Sequence, residues 1–353
     1  MPSWKDKLNG DPVPWLLEND SSQPAIRYYA LRDILGRDES DSEVKAAKAA
    51  IMTSGPVPVI LAAQQPEGYW DKQGDYSGPK YRGTQWSLVF LAQLGADGAD
   101  PRVHAACEYF LTHCVASNGA LSWSGKASSS GGCGAGIYGA ALIDFGWLGD
   151  QRLQTAMEWL AQTITGEGVA DVSSRNTNKR YYKSGNSGPL FLCSNNNSLP
   201  CAWGAIKSML ALGKVPPARR TRNMQEAIKR GVDFLLSHDP AVADYPYDNQ
   251  TWLGQRGGTK PSSNWFKFGY PIGYIADVLQ NLEALAALGQ AKNPKLANAL
   301  DMVISKQDQQ GRWLLEHTYN GKSWVDIEKK RQPSKWVTLR ALRVLKAAYP
   351  ETG

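Results

Sequence analysis

The chain has 353 residues, of which 42 % are hydrophobic and 20 % charged, and this composition excludes an intrinsically disordered protein. The net charge of +6 is mild and comes without a block of like charges, so we expect no nucleic-acid partner. No uninterrupted apolar run approaches the roughly 18 residues of a membrane-spanning helix, which predicts no membrane span and leaves peripheral membrane contact as an alternative.

Helix hairpins are predicted along the whole chain. Five apolar runs end in a large apolar residue and glycine, the usual left-handed helix stop: Leu35-Gly36, Leu94-Gly95, Phe145-Gly146, Leu212-Gly213 and Leu288-Gly289. A second helix is predicted after each, with Asp, Asn or Pro at the start of four of them. Because such hairpins repeat roughly every 50 to 70 residues, they must stack on their neighbours to bury both faces. The pattern predicts one all-α domain over residues 1–353, either a solenoid or a closed ring of about six helix hairpins.

A second repeat lies in the loops. Residues 64–70 and residues 307–313 both fit Q-x-x-x-G-x-W, and each copy follows a predicted outer helix or apolar run. The glutamine can bond to backbone at the end of the outer helix, while glycine permits the turn and the indole packs against the next repeat. We therefore expect Trp70 and Trp313 to join neighbouring repeats.

This signature resembles the QW motif of squalene-hopene cyclases and related triterpene cyclases, whose relatives include the β subunits of protein prenyltransferases. The chain is more closely similar to a family of bacterial squalene-cyclase/prenyltransferase-repeat proteins of mostly unassigned reaction. The similar segments span nearly the whole chain and are residues 14–18, 26–28, 86–95, 133–136, 201–207, 268–271 and 334–342. The resemblance implies an α/α toroid, an (α/α)6 barrel with inner and outer helices around a central cavity.

The sequence departs from these families in its catalytic motifs. The D-x-D-D motif, which supplies the proton in hopene-type cyclases, does not occur. Prenyltransferase β subunits place a zinc-binding Asp two residues before a Cys, whereas Leu199 stands two residues before Cys201. Neither reaction carries over intact, although the resemblance to the fold remains.

The cysteines form the first candidate site. Their odd number, five, and the polar N-terminal residues indicate a reducing, cytoplasmic location rather than a disulfide framework. Cys133 and Cys201 are predicted at the starts of two inner helices, and Cys193 lies just before Cys201. Three thiolates could hold Zn²⁺ with an open fourth position, and Cys201 could also act in catalysis. The alternative is that the three are small, packed thiols.

Carboxylates form the second candidate site. Asp71 follows the first Q-x-x-x-G-x-W segment and Glu316 follows the second, so both are expected in loops at one rim of the ring. Asp277 is predicted on an inner helix, where it either faces the cavity as an acid or pairs with an arginine such as Arg340. We consider Asp71, Asp277 and Glu316 as candidate general acids or bases.

Aromatic residues near the starts of inner helices form the third candidate site. An aromatic lining can stabilise a carbocation or stack on a sugar ring, and the alternative is packing between repeats. The candidate substrate-binding residues are Tyr81, Trp86, Tyr138, Trp203, Trp265, Tyr270, Tyr274 and Trp336. The loop residues Tyr181, Tyr182, Asp248 and Trp252 belong to the same hypotheses, and the basic run at residues 179–183 would suit an anionic group.

The leading functional prediction is an enzyme of the cyclase, isomerase or lyase type. It would act on an isoprenoid or similarly apolar small molecule in a central aromatic-lined cavity, by acid or metal catalysis. Two alternatives are a carbohydrate-active toroid enzyme acting on an acidic sugar, and a non-catalytic module that binds a lipid or peptide. The sequence indicates no certain cofactor beyond the possible zinc ion, and it does not indicate an oligomeric state.

Overall fold

The protein is an all-α toroid. A computed structural model describes residues 3–167, 188–247 and 262–351. Within them the α-helices are α1 (Val13–Leu16), α2 (Pro24–Tyr29), α3 (Ser42–Ile51), α4 (Pro56–Ala62), α5 (Thr84–Gln93), α6 (Pro101–His113), α7 (Gly132–Asp144), α8 (Gln151–Thr165), α9 (Ala202–Lys214), α10 (Arg222–Leu235), α11 (Val278–Ala287), α12 (Ala297–Ser305) and α13 (Lys335–Ala348). Two antiparallel strand pairs are short: β1 (Leu192–Cys193) with β2 (Leu199–Pro200), and β3 (Trp313–Leu314) with β4 (Pro333–Ser334).

Alternate helices form the inner ring. In order around the ring, α5 packs on α7, α7 on α9, α9 on α11, α11 on α13, and α13 on α2 with its π-helical extension Ala30–Ile34. The ring closes between α2 and α5, where the Tyr29 hydroxyl lies against Gly95. Outer helices α3, α6, α8, α10 and α12 each cover the inner helix that precedes them. The N-terminal residues cover α13, since the Trp4 amide donates to the Tyr349 carbonyl at 2.7 Å.

The inner helices differ from the outer ones in how their faces are buried. Every residue from Thr84 to Ala92 in α5 is buried, as expected for a helix with neighbours on all sides. In α7, a Cβ on Gly136 would lie 2.4 Å from the carbonyl carbon of Lys207 in α9. Glycine is therefore required where the backbones of these two inner helices meet.

The helix ends follow the predicted stops with one exception. Gly36, Gly95, Gly146 and Gly289 have positive φ angles between 68° and 84° and follow inner helices. The prediction for Gly213 was wrong, because α9 continues through it to Lys214 and the chain leaves the helix at Val215. A left-handed residue is unnecessary there, since Val215 adopts an extended conformation that ends the helix.

The two Q-x-x-x-G-x-W segments make equivalent contacts. The indole of Trp70 donates to the Ile60 carbonyl at 2.7 Å, and that of Trp313 donates to the Val303 carbonyl at 2.7 Å. Each tryptophan amide also donates to a threonine hydroxyl in the next inner helix. Both rings are fully buried, so each joins the helix before it, α4 or α12, to the inner helix after it.

One apolar stretch among the described residues, Ser42–Ala62, is long enough by length and composition to cross a membrane. It contains α3 and α4, which have ten and seven residues, together with the residues between them, and it breaks at Gly55 with a φ of 70°. Each of these helices is shorter than the length that a span requires.

Candidate functional site

A chamber of about 800 Å³ occupies the centre of the ring, and all six inner helices contribute to its wall. Small apolar residues form much of the wall, among them Val89, Ala92, Ile137, Ala140 and Leu210. Side chains near the C-terminal ends of the inner helices are partly exposed, whereas those at mid-helix are buried. The chamber therefore opens at the C-terminal ends of the inner helices and has its floor near their centres.

The floor is built on a buried ion-pair cluster. The Arg340 guanidinium contacts the Asp277 carboxylate at 3.1 and 3.2 Å and the Glu283 carboxylate at 2.7 and 2.9 Å. Asp277 also caps α11 by accepting from the Gln280 amide at 2.6 Å, and it accepts from the Gly269 amide at 3.2 Å. Every oxygen of Asp277 has a donor, so this carboxylate positions Arg340 and the start of α11.

Lys207 lies on α9 beside this cluster and lines the chamber. Only 1 % of the residue is exposed, and its Nζ donates to the Gln280 side-chain carbonyl. Burial lowers the pKa of Lys207 to about 7; the carboxylates of Asp277 and Glu283 oppose this shift, while Arg340 adds to it. The amine therefore lies in the wall of the chamber with a pKa close to neutrality.

An aromatic stack forms one side of the chamber. The rings of Tyr270 and Trp336 lie parallel with centroids 4.0 Å apart, and Tyr29 meets the edge of Trp336 at 6.0 Å. The loop that carries Tyr270 is held to α5 by Gln93, whose amide group donates to the Ile272 carbonyl and accepts from its amide, both at 2.7 Å. These contacts fix the aromatic face relative to the floor.

Charged pairs surround the mouth. Asp33 contacts Arg32 at 2.5 Å and Arg343 on its other side, and Lys214 contacts Asp144 at 2.6 Å. Burial opposes ionisation of Asp33, but Arg343 and Arg32 together lower its pKa below the usual range. The chamber is consequently more polar at its mouth and floor than the apolar, aromatic-lined cavity that the sequence predicts.

Among the predicted substrate-binding residues, Tyr270 and Trp336 line the chamber. The others lie outside its wall. Tyr138 donates to Gln85 at 2.8 Å, and Trp265 donates to the Pro240 carbonyl at 2.9 Å, so both are part of the packing. Tyr81 and Trp86 form an aromatic cluster with Phe90 and Tyr319, and Trp203 meets Tyr274 at 6.1 Å.

The predicted catalytic residues are separated in space. Asp71 is exposed in a loop with a φ of 63°. Glu316 is half-buried, pairs with Lys306 at 2.7 Å and accepts from the Phe268 amide at 2.8 Å. Neither lines the chamber. Asp277 does not line it either, but it contacts Arg340, which does. Cys201 lies in a different cluster, with the other two predicted zinc ligands.

Cys133, Cys193 and Cys201 come together at the N-terminal ends of α7 and α9 and line a cavity of about 20 Å³. Among the described residues, no group of three or more His, Cys, Asp or Glu side chains is placed to hold a metal ion. Zinc binding by this set therefore stays a prediction without support from the geometry. The basic run at residues 179–183 with Tyr181 and Tyr182, and also Asp248 and Trp252, lie outside the described residues.

Sequence reasoning missed several chamber residues: Tyr29, Arg32, Lys207, Gln280, Glu283 and Arg343. For Lys207 a signal was available, since it is the one cation within the otherwise apolar or small residues 201–212 of a predicted inner helix. The arginine and glutamate residues gave no comparable signal, because charged residues are common on helices whose partners are unknown.

Comparison with known proteins gives structural neighbours only. No protein-family model and no curated protein matches the chain. The type II terpene cyclase MstE from Scytonema, in its apo form, is 15 % identical over 94 % of this chain and 89 % of that one, with a TM-score of 0.44. A variant of MstE in complex with merosterolic acid A gives a TM-score of 0.45 at 15 % identity over 94 % and 87 % of the two chains. A protein from Actinoplanes gives 0.36 at 15 % identity over 85 % and 99 %. Similarity at this level transfers neither a substrate nor a reaction.

Proposed function

We propose that the protein is an enzyme that binds an isoprenoid or similarly apolar small molecule in the central chamber and moves a proton with Lys207. The observation that carries the proposal is the Lys207 amine, buried in the wall of a chamber of about 800 Å³, where burial lowers its pKa to about 7. Its volume lies within the roughly 300 to 1,000 Å³ that is typical of small-molecule sites.

The lowered pKa of Lys207 favours some of the candidate reaction types over others. An acid–base group is most effective when its pKa is close to the working pH, and enzymes lower lysine pKa values to about 7 by burial for this purpose. An ammonium group of this strength is far too weak to protonate an isolated alkene. It can exchange protons with a carbon next to a carbonyl, so an isomerase or lyase type of reaction fits better than protonation-initiated cyclisation.

The surroundings of Lys207 suit such a step. Gln280 accepts a hydrogen bond from the amine and fixes its direction, while Arg340 lies close enough to lower its pKa. The aromatic stack of Tyr270 and Trp336 and the alanine-rich wall can hold an apolar chain. The carbonyl end of the substrate would lie at the floor beside Lys207 and Arg340, so that the adjacent carbon is within reach of the amine, and the apolar chain would extend toward the mouth.

Proton exchange tests the proposal directly. The protein is incubated in D2O with geranylacetone and farnesylacetone, two isoprenoid ketones, and deuterium at the carbons next to the carbonyl is followed by NMR. We expect wild type to exceed Lys207→Met by about 10²-fold or more, the range of general acid–base catalysis. Lys214→Met is the matched control, because Lys214 is the last residue of the same helix α9, lies at the mouth of the chamber and pairs with Asp144.

Two results would contradict the proposal. Equal exchange by wild type and Lys207→Met would remove the role of Lys207. Turnover of a uronate-containing oligosaccharide, with no binding of either ketone, would favour the acidic-sugar enzyme instead. A thermal melt accompanies each variant, and Lys207→Met should melt at or above the wild-type temperature, because it removes a buried group whose charged form is disfavoured.

A further inference from the structure

Lys207 lacks the carboxylate partner that a buried lysine usually has. The other buried lysine among the described residues, Lys335, contacts the carboxylates of Glu18 and Asp20 at 3.0 and 3.1 Å. Within the same part of the chain, Lys207 forms no ion pair, and its hydrogen bond goes to the neutral side-chain carbonyl of Gln280. A buried ammonium group without a direct counter-ion is unfavourable. The site therefore favours the neutral amine, whose nitrogen carries a free electron pair.

The carboxylates around Lys207 are bound to Arg340 instead. An arginine has five N–H donors, and those of Arg340 go to Asp277, Glu283 and the Gly269 carbonyl over distances between 2.7 and 3.2 Å. Arg340 thus has no donor left for a ligand. Two carboxylates around one guanidinium still leave a surplus of negative charge beside Lys207, which can stabilise a cation on its nitrogen.

Gln280 has a donor available for a ligand. Its side chain is buried in the wall of the chamber, and its Oε1 accepts from Lys207 Nζ. Its Nε2 donates to no group in the described ranges of the chain, although a buried amide nitrogen normally has an acceptor. Because Oε1 and Nε2 belong to one planar amide group, a carbonyl oxygen that accepts from Nε2 has its carbon atom next to Lys207 Nζ.

We propose that Lys207 binds an apolar aldehyde or ketone covalently in the chamber, as an iminium ion. This inference rests on the proposed function and adds a covalent step to it. The Lys207 nitrogen attacks the carbonyl carbon while Gln280 Nε2 donates to the carbonyl oxygen, and a proton then moves from nitrogen to oxygen to give a carbinolamine. A second proton joins that oxygen, the C–O bond breaks, and water leaves. Overall, the amine, the carbonyl compound and one proton become an iminium ion and water.

The position of the amine suits this class of ligand. Lys207 lies at the floor of the chamber, so the carbonyl carbon reaches it while the apolar chain extends along the stacked rings of Tyr270 and Trp336. Lysines that are desolvated beside another cationic group are the ones that form such adducts. The iminium ion draws electrons from the adjacent carbon and makes its hydrogens more acidic than those of the free carbonyl compound. The covalent step therefore assists the proposed proton transfer.

Reductive trapping tests the proposal on the full-length protein. The protein is mixed with an equimolar amount of citronellal, an isoprenoid aldehyde, and with sodium cyanoborohydride, which reduces an iminium ion to a stable secondary amine. We expect the protein mass to increase by one citronellal less one oxygen atom, with the adduct on Lys207 in peptide maps. Lys335, which is buried but paired with carboxylates, should stay unmodified. Modification of Lys335 or of exposed lysines at the same rate as Lys207 would overturn the proposal without any variant.

Two variants then separate the roles of the amine and the amide. Lys207→Met should lose the adduct. Gln280→Glu keeps the shape but has no donor for the carbonyl oxygen, and its carboxylate would hold Lys207 as the ammonium ion, so labelling of Lys207 should fall by about tenfold or more. Gln225→Glu makes the same change of charge at an exposed position on outer helix α10 and should label like wild type. Equal labelling of Gln280→Glu and Gln225→Glu would contradict the role of Gln280.

The covalent step and the proposed function fail in different ways. Deuterium exchange that depends on Lys207, without any adduct on Lys207, would overturn the iminium ion and leave the proposed proton transfer standing. An adduct on Lys207, without exchange that depends on Lys207, would support the iminium ion and contradict the proposed function.

Discussion

Replacing Asp277 with asparagine distinguishes a positioning carboxylate from a catalytic acid. The side chain is 6 % exposed and accepts four hydrogen bonds, two from Arg340 and one each from the amides of Gly269 and Gln280. Asparagine keeps the shape but offers one oxygen, and its NH2 group must face a donor. The variant therefore loses the charge that balances Arg340 and places two donors against each other.

The expected loss in the free energy of unfolding depends on the partner that Arg340 keeps in the variant. Breaking a buried ion pair costs about 3–5 kcal/mol, and a hydrogen bond to a charged group contributes about 1.5–3 kcal/mol. Glu283 still contacts Arg340 at 2.7 Å, which places the expected loss for Asp277→Asn at the lower end, about 3 kcal/mol. With an m-value of about 3 kcal/mol/M, the urea midpoint should fall by about 1 M.

The matched control is Asp144→Asn. Asp144 also pairs with a cation, Lys214, but the two side chains are 38 % and 37 % exposed. Exposed pairs contribute about 0–1 kcal/mol, so the midpoint of this variant should stay near that of wild type. Urea unfolding is followed by circular dichroism and tryptophan fluorescence. If Asp277→Asn unfolds at the same midpoint as Asp144→Asn, the buried cluster does not stabilise the ring as argued.

Two further predictions concern the ring and its mouth. Gly136→Ala should destabilise the protein by about 1–3 kcal/mol, because the new methyl group meets the backbone of α9 at 2.4 Å. Gly149→Ala, with nothing within 4 Å of the new Cβ, should be neutral or up to about 1 kcal/mol more stable, and urea midpoints compare the two. For Asp33, whose folded-state pKa is lowered, the stabilising contribution is present above the ordinary value near 4 and is lost as the pH falls through the lower folded value. The melting temperature of wild type should thus exceed that of Asp33→Asn at pH 7 and converge with it as the pH falls through the lowered folded-state pKa; a difference that persists in acid below that pKa would show a cause other than ionisation.

The local pattern of the sequence predicted the elements of the ring well. Glycine stops, capping residues and apolar periodicity depend on a few neighbouring residues, so they can be interpreted without knowledge of the fold. The one wrong prediction of a helix end, at Gly213, shows the limit of such local patterns, because α9 ends where Val215 adopts an extended conformation. The paired contacts of Trp70 and Trp313 follow a repeated motif, and repetition itself indicated their shared role.

The arrangement of the chamber residues depends on contacts between residues that are far apart in the chain. Arg340 meets Asp277 and Glu283 across 63 and 57 positions, and Lys207 meets Gln280 across 73. A single sequence names the residue types but not these pairs, so Asp277 had two interpretations and Lys207 had none. Closure of the ring brings six inner helices around one space.

The repeats therefore indicated an all-α fold of stacked helix hairpins, since hairpins of this kind must stack to bury their faces, and the resemblance of the motifs to a known family implied the closed ring. The tertiary structure decided which polar groups lose contact with water. That loss lowers the pKa of Lys207 toward neutrality, whereas Asp71 keeps its contact with water. Burial, and with it the chemistry of an ionisable side chain, is a property of the assembled ring and of no local segment.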